Sequence, residues 1–161
     1  MARKMRSPTR SSPPKFNLTT TGTVKDIGEY IEYYYRDPDD GRKEDAIQKA
    51  YAAWFRFTFP DKLAFHPVNE RECSPQERDK MDRMGMLTGI SDWVILSSGI
   101  SHPKGLIELK RATKSISTPV SPEQKRILLQ HRKEGGFSAV AYGLSSAIFA
   151  TYDYFGIARI S

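Results

Sequence analysis

Cysteine is almost missing from this chain: its 161 residues hold only Cys73. A lone thiol closes no intramolecular disulfide and lacks a companion for a zinc site, so a reducing, cytoplasmic setting is expected. Histidine is scarce too, and His66, His102 and His131 are too scattered to read as a zinc or histidine-based cluster. No apolar run approaches the ~18 residues of a membrane span, and the first residues show no hydrophobic signal core, so no membrane segment is expected. Residues 1–15 contain no acid while carrying Arg3, Lys4, Arg6, Arg10 and Lys15. These account for five of the net +6 charge, which leaves the rest of the chain almost neutral. Residues 1–25 thus read as a basic, disordered arm, with contact to phosphates and simple solubilisation as equal readings.

The remainder, residues 26–161, reads as one domain: 39% of the chain is hydrophobic and 11% aromatic, enough for a real core without staples. Ile27 to Tyr35 is aromatic-rich, and its periodicity does not separate helix from strand. From Arg42 to about Phe57, Ile47, Tyr51, Trp54 and Phe55 recur at helical spacing. Leu63 to Val68 reads as a strand ending at Asn69. Ser74-Pro75-Gln76-Glu77 and Ser121-Pro122-Glu123-Gln124 are capping-box starts, with helices expected to Met84 and Glu134 and stopped by Gly85 and Gly135-Gly136. A short buried strand at Phe137 to Tyr142 and a helix from about Ser145 to Phe155 close the pattern. No internal repeat is present. The order predicts an α/β fold with a mixed sheet covered by helices.

The most informative segment runs from Gly89 through Ser91-Asp92-Trp93-Val94-Ile95-Leu96 to Gly105-Leu106-Ile107-Glu108-Leu109-Lys110. Ser98-Gly99 and His102-Pro103-Lys104-Gly105 punctuate a hairpin, so Asp92 opens one strand and Glu108 lies inside the next. Strand alternation puts Glu108 and Lys110 on one face, with Ile107 and Leu109 on the other. A carboxylate and an amine in an otherwise apolar run need a reason. Hydrolysis of a phosphodiester supplies one: it needs an activated water and neutralisation of developing charge, which Mg²⁺ or Mn²⁺ provides when held by one or two carboxylates. Asp92 and Glu108 suit that role, Lys110 would orient water and stabilise charge, and Glu44 of the first helix could contribute through a water. The plain alternative is a surface hairpin with a cross-face ion pair, worth only ~0.2–1 kcal/mol.

Several ordered motifs together resemble the VRR-NUC family of the PD-(D/E)xK, restriction-endonuclease-like superfamily, over roughly residues 44 to 155. They are Glu44-x-x-x-Gln48, His66-Pro67-Val68-Asn69, Gly85-x-x-x-Gly89-Ile90-Ser91-Asp92, Ile107-Glu108-Leu109-Lys110, Ser121-Pro122-Glu123-Gln124 and Ala139-Val140-Ala141-Tyr142-Gly143. The resemblance implies a restriction-endonuclease-like mixed central sheet flanked by helices. It implies Asp92 and Glu108 as metal ligands with the Leu109 carbonyl, Lys110 as the catalytic lysine, Glu44 completing the acidic set, and Gln48 and Gln124 lining the site. Asn69 joins them as a site-lining candidate; His66 beside it could touch substrate, a structural role at a strand end being the stronger reading. Ser91 departs from the family pattern, which has proline before the metal-binding aspartate.

Arg111, Lys114, Lys125 and Arg126 flank this constellation and are the phosphate-binding candidates. Small stand-alone members of the family look like phage proteins that cut branched DNA, such as four-way (Holliday) junctions, as homodimers. The expected activity is therefore a metal-dependent endodeoxyribonuclease. The rivals are a general nuclease on duplex or single strands and a non-catalytic DNA-binding module. The aromatic stretches Tyr30 to Tyr35 and Trp54 to Phe59 are candidate dimer surfaces or simply core.

Overall fold

The computed structural model describes residues 16–68 and 73–159, so the basic stretch 1–15 lies outside the described residues. Its strands are β1 (Gly22–Asp26), β2 (Ile31–Tyr35), β3 (Ala64–Phe65), β4 (Trp93–Ile95), β5 (Gly105–Lys110) and β6 (Phe137–Tyr142). Its helices are α1 (Glu44–Thr58), α2 (Pro75–Arg83), α3 (Pro122–Lys133) and α4 (Gly143–Phe155), with a 3₁₀ turn at Lys114–Ile116. The strands form one mixed sheet in the order β1-β2-β6-β5-β4-β3. β6 runs parallel to both β2 and β5, while the outer pairs are antiparallel.

Alternation decides what each face buries. Ile31, Ala139, Ile107 and Trp93 are register partners across four strands. They belong to the larger core, beneath Ile47, Tyr51, Trp54 and Phe55 of α1 and Leu144, Ala147, Ile148 and Tyr154 of α4. The opposite face packs Leu106, Val140 and Tyr142 against Ile127 and Leu128 of α3. The result is helix, sheet, helix, with two helices on one side and one on the other. Small residues let α4 press close to the sheet. Ser146 Oγ–H there donates to the Tyr142 carbonyl at 2.6 Å and accepts the Tyr35 amide at 2.9 Å, fastening β2 to the β6–α4 joint.

The structure changes several expectations. Order begins before residue 26: β1 starts at Gly22, and Phe16 and Leu18 already pack against the core. Ile27 to Tyr35 resolves to a turn followed by β2, because pairing with β6 more than 100 residues away settles what local periodicity could not. The strand expected over Leu63 to Val68 shrinks to Ala64–Phe65, since Pro67 has no amide to give a ladder. Tyr33, Tyr35, Trp54 and Phe55 are core residues at most 7% exposed, so the segments expected as dimer surface or core direct their largest rings inward. The α4 helix also starts two residues earlier than expected, at Gly143. Both capping boxes are present as read. Among the described residues no helix is long and apolar enough to cross a membrane.

Candidate active site

The site is built around the end of β5. Glu108 and Lys110 share the α3-facing side of that strand and are each only 3% exposed, with Lys110 Nζ 3.1 Å from Glu108 Oε1. Desolvating two charges is unfavourable unless further hydrogen bonds compensate. Gln124 supplies one: its Nε2–H donates to Glu108 Oε1 at 2.6 Å. Its Oε1 meanwhile accepts the Ser121 amide at 2.9 Å, and its own amide donates to Ser121 Oγ at 3.1 Å. One side chain therefore caps α3 and steadies the buried carboxylate.

Asp92 reaches the same place from the turn before β4. Pairing between β4 and β5 ends at Trp93 and Ile107, so the next amide on that side of β5, Leu109 N–H, has no ladder partner on β4. Asp92 Oδ2 accepts that amide at 2.8 Å, bringing its carboxylate alongside β5. The turn requires glycine at position 89: φ is +85°, and a Cβ would come within 2.8 Å of the Glu123 backbone in the first turn of α3. His66, exposed after β3, donates its Nδ1–H to the Asp92 carbonyl at 2.6 Å, replacing the ladder bond that Pro67 withholds. Tyr142, the register partner of Lys110, has its phenol pushed up to about 12, mainly by burial and then by Glu32 and Tyr30, so it remains a neutral proton donor.

These side chains open into a cleft of about 710 Å³ lined by Glu44, Asp92, Glu108, Lys110, Gln124, Glu123 and Arg78, with Met86, Thr88 to Ile90, Thr118, Pro119 and Ser121. Glu44, Asp92, Glu108 and Lys110, all expected from the sequence, thus converge with Gln124. Gln48 lies one turn along α1 from Glu44. Arg111 is half-buried beside Lys110, with its amide donating to Ser117 Oγ. Lys125 and Arg126 stand on α3, and both are exposed. Lys114 turns elsewhere, pairing with Glu32 at 2.6 Å and covering the rings of Tyr34 and Tyr142 at 5.4 and 5.0 Å. Asn69 lies outside the described residues. Ser91, where the family pattern has proline, is fully buried. Arg78 and Glu123 escaped the sequence reading. Glu123 could have been found from its place in the second capping box, whereas no local signal marks Arg78.

A hard divalent cation can be tested against these side chains. Among the described residues the cleft carries four carboxylates against two cationic groups, formally −2, a balance that suits a cation better than a bare phosphate. Buried polar atoms point the same way: Glu44 Oε1 and both amide atoms of Gln48 make no hydrogen bond among the described residues. The donors are oxygens, which suit Mg²⁺ or Mn²⁺. No group of three or more His, Cys, Asp or Glu forms a ready-made cage among the described residues. The oxygen donors present fit such an ion, with the Asp92 and Glu108 carboxylates both at the end of β5 and lining the cleft.

The six-stranded mixed sheet flanked by helices, with a carboxylate–lysine pair at the end of a central strand, makes this an α/β domain. Among solved structures, the chain is similar to one titled "VRR_NUC domain protein", with a TM-score of 0.58, 23% identity, and coverage of 75% of this chain and 94% of that one. The chain has the fold of a VRR-NUC domain. No family model matches the sequence, and no curated protein does.

Proposed function

We propose that this chain is a Mg²⁺- or Mn²⁺-dependent DNA endonuclease of the VRR-NUC type, hydrolysing phosphodiester bonds in branched DNA such as four-way junctions or flaps. The observation that carries the reading is the buried Glu108–Lys110 pair with Asp92 alongside it, all open to one cleft. A structural ion pair has no need of a third carboxylate brought in from another loop. The sequence motifs resemble that family, and the similarity in fold to a VRR_NUC domain protein supports the reading.

In this mechanism Asp92 and Glu108 would hold the ion with the Leu109 carbonyl, and Glu44 would support it. When bound, the ion supplies an acidified water and neutralises charge on the phosphate. Lys110 uses one N–H on Glu108 and keeps two others, for the attacking water and a non-bridging phosphate oxygen. Gln124 and the Leu109 amide keep the two carboxylates from turning away. The basic residues 1–15, with Arg111, Lys125 and Arg126, add contacts to DNA phosphates.

The deciding experiment incubates the protein with four-way junction, flap, duplex and single-stranded DNA, with Mg²⁺ or with EDTA. Metal-dependent cleavage with branched DNA preferred is the expected result. Equal cutting of linear substrates would make it a general nuclease, and binding without cleavage a DNA-binding module.

A further inference from the structure

Helix α2 is unusual in having no buried residue, although it borders a cleft whose other walls include core strands. Nine residues of polar helix are marginal in water on propensity alone. Local devices hold this one. Ser74 and Glu77 form a reciprocal capping box, Pro75 occupies the first helical position, Asp79 and Arg83 pair one turn apart, and Met86 N–H returns to the Met81 carbonyl at 3.0 Å. Within this helix only Arg78 lines the cleft, together with Asp92, Glu108 and Lys110. Arg83 on the same helix is taken by Asp79, whereas Arg78 forms no ion pair with any acid among the described residues.

We propose that Arg78 grips a backbone phosphate of the nucleic-acid substrate beside the one being cut, and that α2 serves to hold it over the cleft. The proposal rests on the nuclease reading and adds to it a specific binding contact. A guanidinium offers a planar fork of donors that matches two phosphate oxygens, stays charged at every working pH, and gives up little on leaving water. The four cleft carboxylates would attract that fork, so its grip on phosphate develops once a divalent ion neutralises them. Arg78 thus supplies binding that the strand keeps unchanged from the ground state to the transition state.

The test compares wild type, Arg78→Ala, Arg78→Lys and Arg83→Ala in DNA binding across a salt series with Ca²⁺, and in Mg²⁺-dependent cleavage. Arg78→Ala should weaken binding roughly five- to twentyfold. It should also lower the slope of log affinity against log salt by about 0.7–0.9, the value for one phosphate that is no longer neutralised. KM should rise while kcat stays near wild type. Arg78→Lys should keep the salt slope, and Arg83→Ala should match wild type. Melting temperatures should not differ between wild type and Arg78→Ala, because α2 buries nothing. Unchanged affinity and slope in Arg78→Ala, with wild-type cleavage intact, would overturn this proposal alone. A wild type that neither binds nor cuts DNA would overturn the nuclease reading and, with it, this one.

Discussion

Gln124 holds Glu108 with its amide nitrogen and the start of α3 with its amide oxygen. The capping box at Ser74 uses a glutamate at the equivalent position, which accepts but cannot donate. Gln124→Glu should therefore keep the cap and leave the melting temperature within a few degrees, while setting a second carboxylate against Glu108. Cleavage should fall roughly ten- to a hundredfold from the displaced carboxylate. If Gln124→Glu cuts as fast as wild type, the amide is a cap and nothing more.

Asp92 has separable structural and chemical duties. Its carboxylate satisfies the Leu109 amide, so Asp92→Ala should cost about 1–2 kcal/mol, whereas Asp92→Asn keeps an acceptor and should be nearly as stable as wild type. Both variants should lose most cleavage, as should Glu108→Ala and Lys110→Ala, with DNA binding retained. Glu44→Ala should be milder. Denaturation curves and cleavage rates measured on the same preparations separate the two duties, and robust metal-dependent cleavage by Glu108→Ala would remove the site assignment.

The negative cleft makes a further demand. A cation that binds only the folded protein stabilises it by RT ln(1 + [L]/Kd), about 2.7 kcal/mol at one hundred times Kd. Mg²⁺ or Mn²⁺ should raise the melting temperature of wild type more than that of Asp92→Asn. Equal shifts in the two proteins would show that the ion sits elsewhere.

What the sequence disclosed follows from the range of the interactions involved. The starts of α2 and α3 are readable because a capping box is complete within four residues, as at Ser74 and Ser121. Glu108 and Lys110 are readable because period-two alternation makes two polar residues conspicuous in an apolar strand. The β1–β2 hairpin is not, since Tyr30 to Tyr35 presents rings on both faces and becomes a strand through its pairing with β6. Nor is His66 as the support of the Asp92 carbonyl, or Arg78 in the cleft: each depends on an approach between distant parts of the chain that leaves no local mark.

His131 offers a pH test independent of the site. It is half-buried against Gly136, its Nδ1–H donating to Ser138 Oγ at 3.0 Å, while the Ser138 hydroxyl donates to the Leu128 carbonyl. Burial lowers its pKa below the ordinary 6.5, only partly opposed by Glu134. The unfolded chain then binds more protons than the folded one just below pH 6.5, so stability falls as pH drops through that window and is fully present above it. Wild type should lose more melting temperature between about pH 7.5 and 5.5 than His131→Gln does. A parallel decline in the two proteins would assign the acid sensitivity to other groups.

Symmetric cutting of a four-way junction needs two active sites related by a two-fold axis, and one chain supplies a single Asp92–Glu108–Lys110 set. A junction-cutting enzyme should therefore be a dimer, with twice the 18.3 kDa of the chain in light scattering and paired nicks on opposite strands. Its interface must lie away from Tyr33 and Trp54, which are buried at 2% and 7% exposure within the protomer. Trp54→Ala should then act as a core truncation, costing about 3–5 kcal/mol at every protein concentration. A cost that instead shrinks as concentration rises would return Trp54 to an interface. A strict monomer that cuts duplex as readily as junctions would end the branched-DNA assignment and leave a general nuclease.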